Sequence, residues 1–120
     1  MKFSDEYCDF VTGLVSEKSM KDFESKLNTA GLGMAGEAGE VADVAKKVLF
    51  HGMEWNEEVR QKFAKEVSDL LWYIAFASRH VLGMTIEEIV DINVKKLKDR
   101  YKSGKFSTEE FMIKEEAKRD

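Results

Sequence analysis

The 120-residue chain has no proline, one cysteine and two histidines. The absence of proline and the scarcity of alternating Val, Ile and Thr runs direct the search for regular structure toward helices. With Cys8 alone, neither an internal disulfide nor a thiolate zinc cage can form. His51 and His80 are too few for a histidine-rich metal site and supply a Ser-His-Asp triad poorly. Oxygen ligands are the plentiful alternative, and they favour a hard cation.

The chain also lacks a basic charge balance and long apolar runs. Its net charge is -4 and its pI about 5.3, so we expect no nucleic-acid polymer as a partner. No run approaches the roughly 20 apolar residues that span a bilayer, and the first six residues do not begin like a signal peptide. We therefore expect a cytoplasmic protein without membrane contact. The length and the 43% hydrophobic content fit one folded domain over residues 1–120.

Helical periodicity is present along most of the chain. The longest amphipathic stripe predicts a core-facing helix over residues 56–81. A second long helix is predicted from about 26 to 50, although four glycines weaken its first turns. Shorter helical patterns lie near the N-terminus, over 85–101 behind a capping box at Thr85, and after Ser107. The pattern predicts an all-α fold, an antiparallel helical bundle of four to five helices.

Two carboxylate pairs lie on the two long helices. Glu37 and Glu40 are three residues apart, as are Glu66 and Asp69, so both members of each pair lie on one helix face. The connection over residues 50–57 is short enough to make the two helices antiparallel neighbours. At about 1.5 Å per residue, Glu40 and Glu66 should lie about 14–15 Å from the turn, and Glu37 and Asp69 about 18–20 Å. The pairs are predicted to match level for level.

Four carboxylates in one groove need a compensating interaction. Each pair repels by roughly 4 kcal/mol at about 4 Å and an effective dielectric near 20, so the groups must be protonated, splayed apart or bridged by a cation. An all-oxygen set suits Mg²⁺, Mn²⁺ or Ca²⁺, and the Glu-x-x-His pairs of di-iron bundles are missing. Magnesium leads on availability. Because it usually lies between carboxylates and substrate phosphates, the site predicts a nucleotide-like or pyrophosphate-like ligand.

Basic and polar residues near the pairs are candidates for holding phosphate oxygens. Lys47 lies seven residues beyond Glu40 on the same face, and a later helix presents three further candidates at steps of three and four, namely Asn93, Lys96 and Arg100. A merely solvated basic face is an equally good interpretation of Lys96 and Arg100. Tyr73 follows Asp69 by four residues and is a candidate hydroxyl donor to the ligand. The aromatic candidates for stacking on a base are Trp55, Trp72 and Phe76, although most of these three are expected to belong to the core.

Three motifs carry a resemblance to a known family. They are the segments GMAGEAGEV at 33–41, EVSDLLWY at 66–73 and NVKKLKDRY at 93–101. Together they resemble the E-x-x-E, E-x-x-D and N-x-x-K-L-x-x-R-Y pattern of the MazG-like nucleoside triphosphate pyrophosphohydrolases, which are related to the dimeric dUTPases. The resemblance extends from about residue 28 to 106, and it implies a single all-α domain with a core at about 26–106.

The resemblance also implies an activity and a site. The activity is Mg²⁺-dependent attack of water on the α-phosphate of a nucleoside triphosphate, with Mn²⁺ as a possible substitute, releasing nucleoside monophosphate and pyrophosphate. The implied metal ligands and catalytic residues are Glu37, Glu40, Glu66 and Asp69. The implied substrate contacts are Lys47, Tyr73, Asn93, Lys96 and Arg100. Family members are usually homodimers or homotetramers, so a homo-oligomer is expected.

Two other classes of function stay open at this point. The leading hypothesis is an enzyme that hydrolyses canonical or modified (d)NTPs for pool control or house-cleaning. The first alternative is a non-catalytic nucleotide-sensing or partner-binding helical module, and the second is a metal-binding structural bundle without a substrate. Pyrophosphate release separates the enzyme from both alternatives.

Overall fold

A computed structural model of the chain describes residues 1–119, all of whose regular structure is helical. Asp120, the last residue of the predicted domain, lies outside the described residues. The five α-helices are α1 (Asp5–Thr12), α2 (Phe23–Phe50), α3 (Glu57–Phe76), α4 (Ile86–Arg100) and α5 (Thr108–Arg119). The prediction of an all-α fold with four to five helices is confirmed. Over the part of the chain that is described, every helix is too short or too polar to cross a membrane.

The two long helices begin at side-chain caps. Asp22 precedes α2, and its Oδ1 accepts a hydrogen bond from the Ser25 backbone N–H at 2.7 Å. Asn56 caps α3 in the same way, accepting from the Val59 N–H at 2.9 Å. Each cap satisfies a backbone donor that has no partner inside the helix. The cap at Asp22 starts α2 three residues earlier than predicted, and α2 continues through all four of its glycines.

The end of α3 corrects the prediction of one α-helix over residues 56–81. The α-helical part ends at Phe76, and Ala77–Leu82 forms a π-helical segment that ends at Gly83, where φ is +62°. Such segments are rare and widen one turn of a helix. In this segment the Arg79 guanidinium pairs with Asp9 of α1. The contact is tertiary, so helical periodicity alone could not reveal the widened turn.

The first compact unit comprises residues Met1–Thr85. Within it α2 packs against α3, and α1 packs against α3. The buried side chains come from these three helices and the π-helical segment, chiefly Cys8, Val11, Ala30, Val44, Phe76 and Ser78. The Ser78 hydroxyl, fully buried, donates to the Met84 carbonyl and so satisfies its own polar atom.

The second compact unit begins at Ile86 and contains α4 and α5. Ser107 accepts a hydrogen bond from the Glu110 N–H at 3.2 Å, which starts α5 as the sequence predicts. One face of α4 carries a row of apolar side chains that are 40–52% exposed, namely Val90, Val94 and Leu97. Contiguous exposed apolar groups on a helix are unusual for a protein that acts as a monomer.

Candidate metal centre

Three carboxylates meet between α2 and α3. Glu37 of α2 and the α3 residues Glu66 and Asp69 each offer an oxygen, and these oxygens all lie within 4.8 Å of one another. Glu37 and Glu66 are half-buried, whereas Asp69 is exposed. We call this group the carboxylate cluster. It forms because Glu66 and Asp69 share a face of α3 and the antiparallel α2 brings Glu37 to the same height.

A close contact one turn away fixes the register of the two helices. Gly33 of α2 faces the ring of Tyr73 on α3. Gly33 precedes Glu37 by four residues, and Tyr73 follows Asp69 by four, so the contact is one helical turn from the Glu37–Asp69 level. The same register places Glu37 of α2 level with Asp69 of α3.

The cluster opposes ionisation of Glu37 when no metal is bound. Burial raises the pKa of Glu37 above its ordinary value of 4.5, and the charges of Asp69, Glu66 and Glu40 raise it further. Glu40 is exposed, and in the described residues it stands outside the cluster of three, yet its charge still acts on Glu37. The structure therefore brings three of the four predicted carboxylates together and leaves Glu40 at the edge.

The donor set fits a hard divalent cation. Oxygens on opposite sides of an octahedral Mg²⁺ ion are about 4.2 Å apart, since each lies about 2.1 Å from the metal. The three oxygens of the cluster all lie within 4.8 Å of one another, so rotamer changes of the carboxylate side chains could bring them onto one ion. All three ligands are carboxylate oxygens, which suits Mg²⁺ or Mn²⁺ better than softer metals.

An open pocket of about 300 Å³ adjoins the cluster, and it is lined by Glu37, Asp69, Trp72 and Tyr73. The Trp72 and Tyr73 rings meet edge to face with centroids 4.9 Å apart, and Trp72 stacks on Phe76 at 5.9 Å. Trp72 was one of three aromatic residues left open between base stacking and the core, and the structure places it half-buried in the pocket wall. A residue at the border of an apolar helix stripe can face either the core or the surface, so periodicity alone does not decide whether Trp72 is buried.

A further aromatic residue near the cluster comes from α1. Burial raises the pKa of the Tyr7 hydroxyl, and the neighbouring Cys8 and the Asp69 carboxylate raise it further. Tyr7 therefore lies within electrostatic range of the cluster. No motif in the sequence indicated it, because the contact depends on how α1 packs against α3.

Lys47 has a local acidic partner that the sequence analysis overlooked. Its Nζ lies 2.8 Å from Asp43, one turn earlier on α2, and Asp43 also pairs with Lys46 at 3.5 Å. The Asp43 carboxylate is the main cause that raises the pKa of Lys47, and Glu40 adds a smaller contribution. The spacing of four residues between Asp43 and Lys47 was the available signal.

The three remaining predicted contacts lie on α4, in the second unit. Asn93 and Lys96 are exposed. Arg100 is half-buried, and its guanidinium lies 5.9 Å from the Phe111 ring centroid and 6.0 Å from that of Tyr101. The Arg100 Nε is buried without a hydrogen-bond partner among the described residues. The structure brings these three residues together on one helix, in a unit separate from the carboxylate cluster.

The sequence profile of the MazG nucleotide pyrophosphohydrolase domain matches residues 25–104. The chain belongs to this family. The resemblance drawn from the three motifs is confirmed, and the matched MazG segment contains all four predicted carboxylates. Neither a curated protein nor a solved structure matches the chain. The MazG segment begins after α1, so Tyr7 lies outside it.

Ionisation of Glu37 should lower the folding stability of the metal-free MazG protein in a pH-dependent way. Because the folded-state pKa is raised, the folded chain holds this proton more tightly than the unfolded chain. The associated stability is fully present below the ordinary value of 4.5 and is lost as pH rises through the raised value. Glu37→Gln should therefore raise the thermal midpoint relative to wild type above that window, and the gain should vanish below it.

The measurement compares the thermal midpoints of wild type and Glu37→Gln in a chelator over about pH 4–8. Other carboxyl groups titrate equally in the two proteins, so their effect cancels in the difference. Asp22 and Asp43, for example, have lowered pKa values, so their contribution to protein stability falls as pH falls, equally in wild type and variant. Glu58→Gln on exposed α3 surface is the matched control and should show no such pH-dependent gain. Equal behaviour of the two variants would contradict the assignment.

Proposed function

We propose that the chain hydrolyses nucleoside triphosphates between the α- and β-phosphates, releasing nucleoside monophosphate and pyrophosphate. The observation that carries this proposal is the meeting of Glu37, Glu66 and Asp69 across two helices inside the segment that matches a pyrophosphohydrolase domain. The proposed role is control of nucleotide pools or removal of unwanted canonical or modified (d)NTPs.

In this proposal Glu37, Glu66 and Asp69 hold Mg²⁺, or Mn²⁺ in its place. A bound ion would neutralise phosphate charge and make a coordinated water more acidic. The proposed role of the exposed Glu40 is to orient or deprotonate the attacking water, or to complete the metal ligands. Without a cation the acidic cluster would repel the triphosphate, which supports the requirement for a metal.

The proposed substrate contacts divide by chemistry. Tyr73, next to Trp72 in the pocket wall, offers an aromatic surface and a hydroxyl to the nucleoside. The groups proposed for the phosphates are Lys47, Asn93, Lys96 and Arg100. An arginine suits phosphate because its guanidinium can donate two parallel hydrogen bonds. Lys47 would exchange its Asp43 partner for phosphate when substrate binds.

We further propose that the active form is a homodimer or homotetramer. The apolar row on α4 is the supporting observation, since its three members are each at least 40% exposed. Burying such a row against a second chain would remove apolar surface from water and stabilise the assembly. The net charge of -4 gives no support for a nucleic-acid polymer as partner.

The test is product analysis on a panel of canonical (d)NTPs and dUTP, with Mg²⁺ and with a chelator. The proposal predicts pyrophosphate and nucleoside monophosphate in equal amounts, only when the metal is present. Inorganic phosphate with nucleoside diphosphate would contradict it. Saturable nucleotide binding without turnover would indicate the sensing module, and metal binding without nucleotide binding would indicate the structural bundle.

A further inference from the structure

Gly33 occupies an unfavourable position for glycine, in the interior of α2. Glycine forms helices less readily than alanine. The three other glycines of α2 are Gly31, Gly36 and Gly39, and a Cβ added to any of them would meet nothing within 4 Å. A Cβ on Gly33 would instead overlap Cδ1 and Cε1 of Tyr73 and lie 2.7 Å from its Cζ. Gly33 is therefore the glycine in α2 that the packing requires.

Aromatic packing restrains one side of the Tyr73 ring, which also lines the open pocket. Trp72 meets the Tyr73 ring edge to face at 4.9 Å, and Trp72 itself lies parallel to the fully buried Phe76, with 6° between the ring planes. Packed interiors respond to an added methyl group by shifting side chains or backbone. In this packing, a shift of α2 away from α3 is the response that leaves the aromatic stack intact.

Such a shift would act directly on the carboxylate cluster. Glu37 follows Gly33 by one helical turn, and Asp69 precedes Tyr73 by one turn, so the glycine contact and the cluster are adjacent levels of one interface. Glu37 is the α2 member of the cluster, whereas Glu66 and Asp69 belong to α3. Moving α2 outward would therefore separate Glu37 from its two partners, and metal ligands tolerate only about 0.5 Å of misplacement.

We propose that Gly33 is a positioning residue for the metal site, because its missing Cβ lets Tyr73 lie against α2 and keeps Glu37 within reach of Glu66 and Asp69. The inference rests on the proposed metal-binding role of the cluster. It adds a residue that touches neither metal nor substrate. It also explains why α2 has a glycine at the one of its four glycine positions where a Cβ would clash with a neighbouring side chain.

The test is the Mn²⁺ affinity of the full metal-free chain, measured by calorimetric titration without nucleotide. Gly33→Ala should weaken Mn²⁺ binding by about tenfold or more, as loss of a supporting group around a metal site does. Gly31→Ala is the matched control, because its Cβ would meet open space, and it should bind like wild type. Circular dichroism of each variant would establish that the helical content of the chain is unchanged.

Double variants separate positioning from general damage and keep the test valid if Gly33→Ala folds poorly. Gly33→Ala with Tyr73→Ala removes the ring that the new Cβ would strike, and its affinity should return to within about threefold of Tyr73→Ala alone. Gly33→Ala with Tyr73→Phe keeps the three overlapping ring atoms and should stay weak.

The outcomes distinguish this inference from the proposed function. Wild-type affinity in Gly33→Ala would show that the ring swings aside, and it would overturn the inference while leaving the metal site in place. Failure of the Tyr73→Ala double variant to recover would overturn it as well. Absence of Mn²⁺ binding by the wild-type chain would refute the metal site itself, and the positioning role with it.

Discussion

Replacing Glu66 with glutamine should lower kcat/KM for nucleoside triphosphate hydrolysis by about a thousandfold, or about 4 kcal/mol of transition-state stabilisation. Glu66 contributes one of the three oxygens of the carboxylate cluster. Glutamine keeps the shape of the side chain but removes the charge that would hold the cation. Because charge is lost at a crowded acidic site, the metal-free variant should be no less stable than wild type. Activity at saturating Mg²⁺ and the thermal midpoint are the two measurements.

The control for this prediction is Glu58→Gln, an exposed position near the start of the same helix. It should keep full activity, since surface changes of this kind have small effects. A Glu66→Gln protein that is folded and retains more than about a tenth of the wild-type kcat/KM would show that this carboxylate does not hold an essential ion. An equal loss in Glu58→Gln would point to a general effect of charge.

The largest effect on stability is expected from Phe76→Ala, which should lower the free energy of unfolding by about 3–5 kcal/mol. The Phe76 side chain is fully buried at the end of α3, where the π-helical segment begins. It stacks on Trp72 at 5.9 Å and lies 5.1 Å from the His80 ring. Removing it would leave a cavity under the pocket wall, so the variant should also bind nucleotide more weakly. Urea unfolding measures the first effect.

Phe23→Ala supplies the matched comparison, because Phe23 opens α2 and is 61% exposed. It should change the free energy of unfolding by less than about 0.5 kcal/mol. A Phe76→Ala loss of less than about 1 kcal/mol would mean that the site collapses around the gap, or that this aromatic stack is not part of the core.

Much of the architecture could be predicted from local patterns. The stripe along α3 placed this helix correctly up to Phe76, and the short connection to α2 indicated an antiparallel pair. The rise per residue and the antiparallel arrangement predicted Glu37 and Asp69 at one level, and the structure places oxygens of these two residues together with one of Glu66. Helix ends were less predictable. The cap at Asp22 sets where α2 begins, and α2 continues through its glycines because tertiary packing overrides their weak helix propensity.

Other features depend on contacts between residues distant in sequence. The π-helical segment has a periodicity that a short window cannot tell from an α-helix, and its ion pair joins Arg79 to Asp9, seventy residues earlier. Glu40 lies outside the cluster because of the direction of its side chain. The prediction compared only heights along the helix axes and took no account of that direction. Gly33 was visible only as an unexplained glycine, and its role needs the position of Tyr73.

The most direct measurement of the central claim is hydrolysis in ¹⁸O-labelled water with Mg²⁺, followed by mass spectrometry of both products. In the proposed reaction water attacks the α-phosphate, where metal held by Glu37, Glu66 and Asp69 would activate it. The proposal predicts one ¹⁸O atom in the nucleoside monophosphate and none in the pyrophosphate. Label in pyrophosphate or in free phosphate would place the attack at the β- or γ-phosphate and contradict the account.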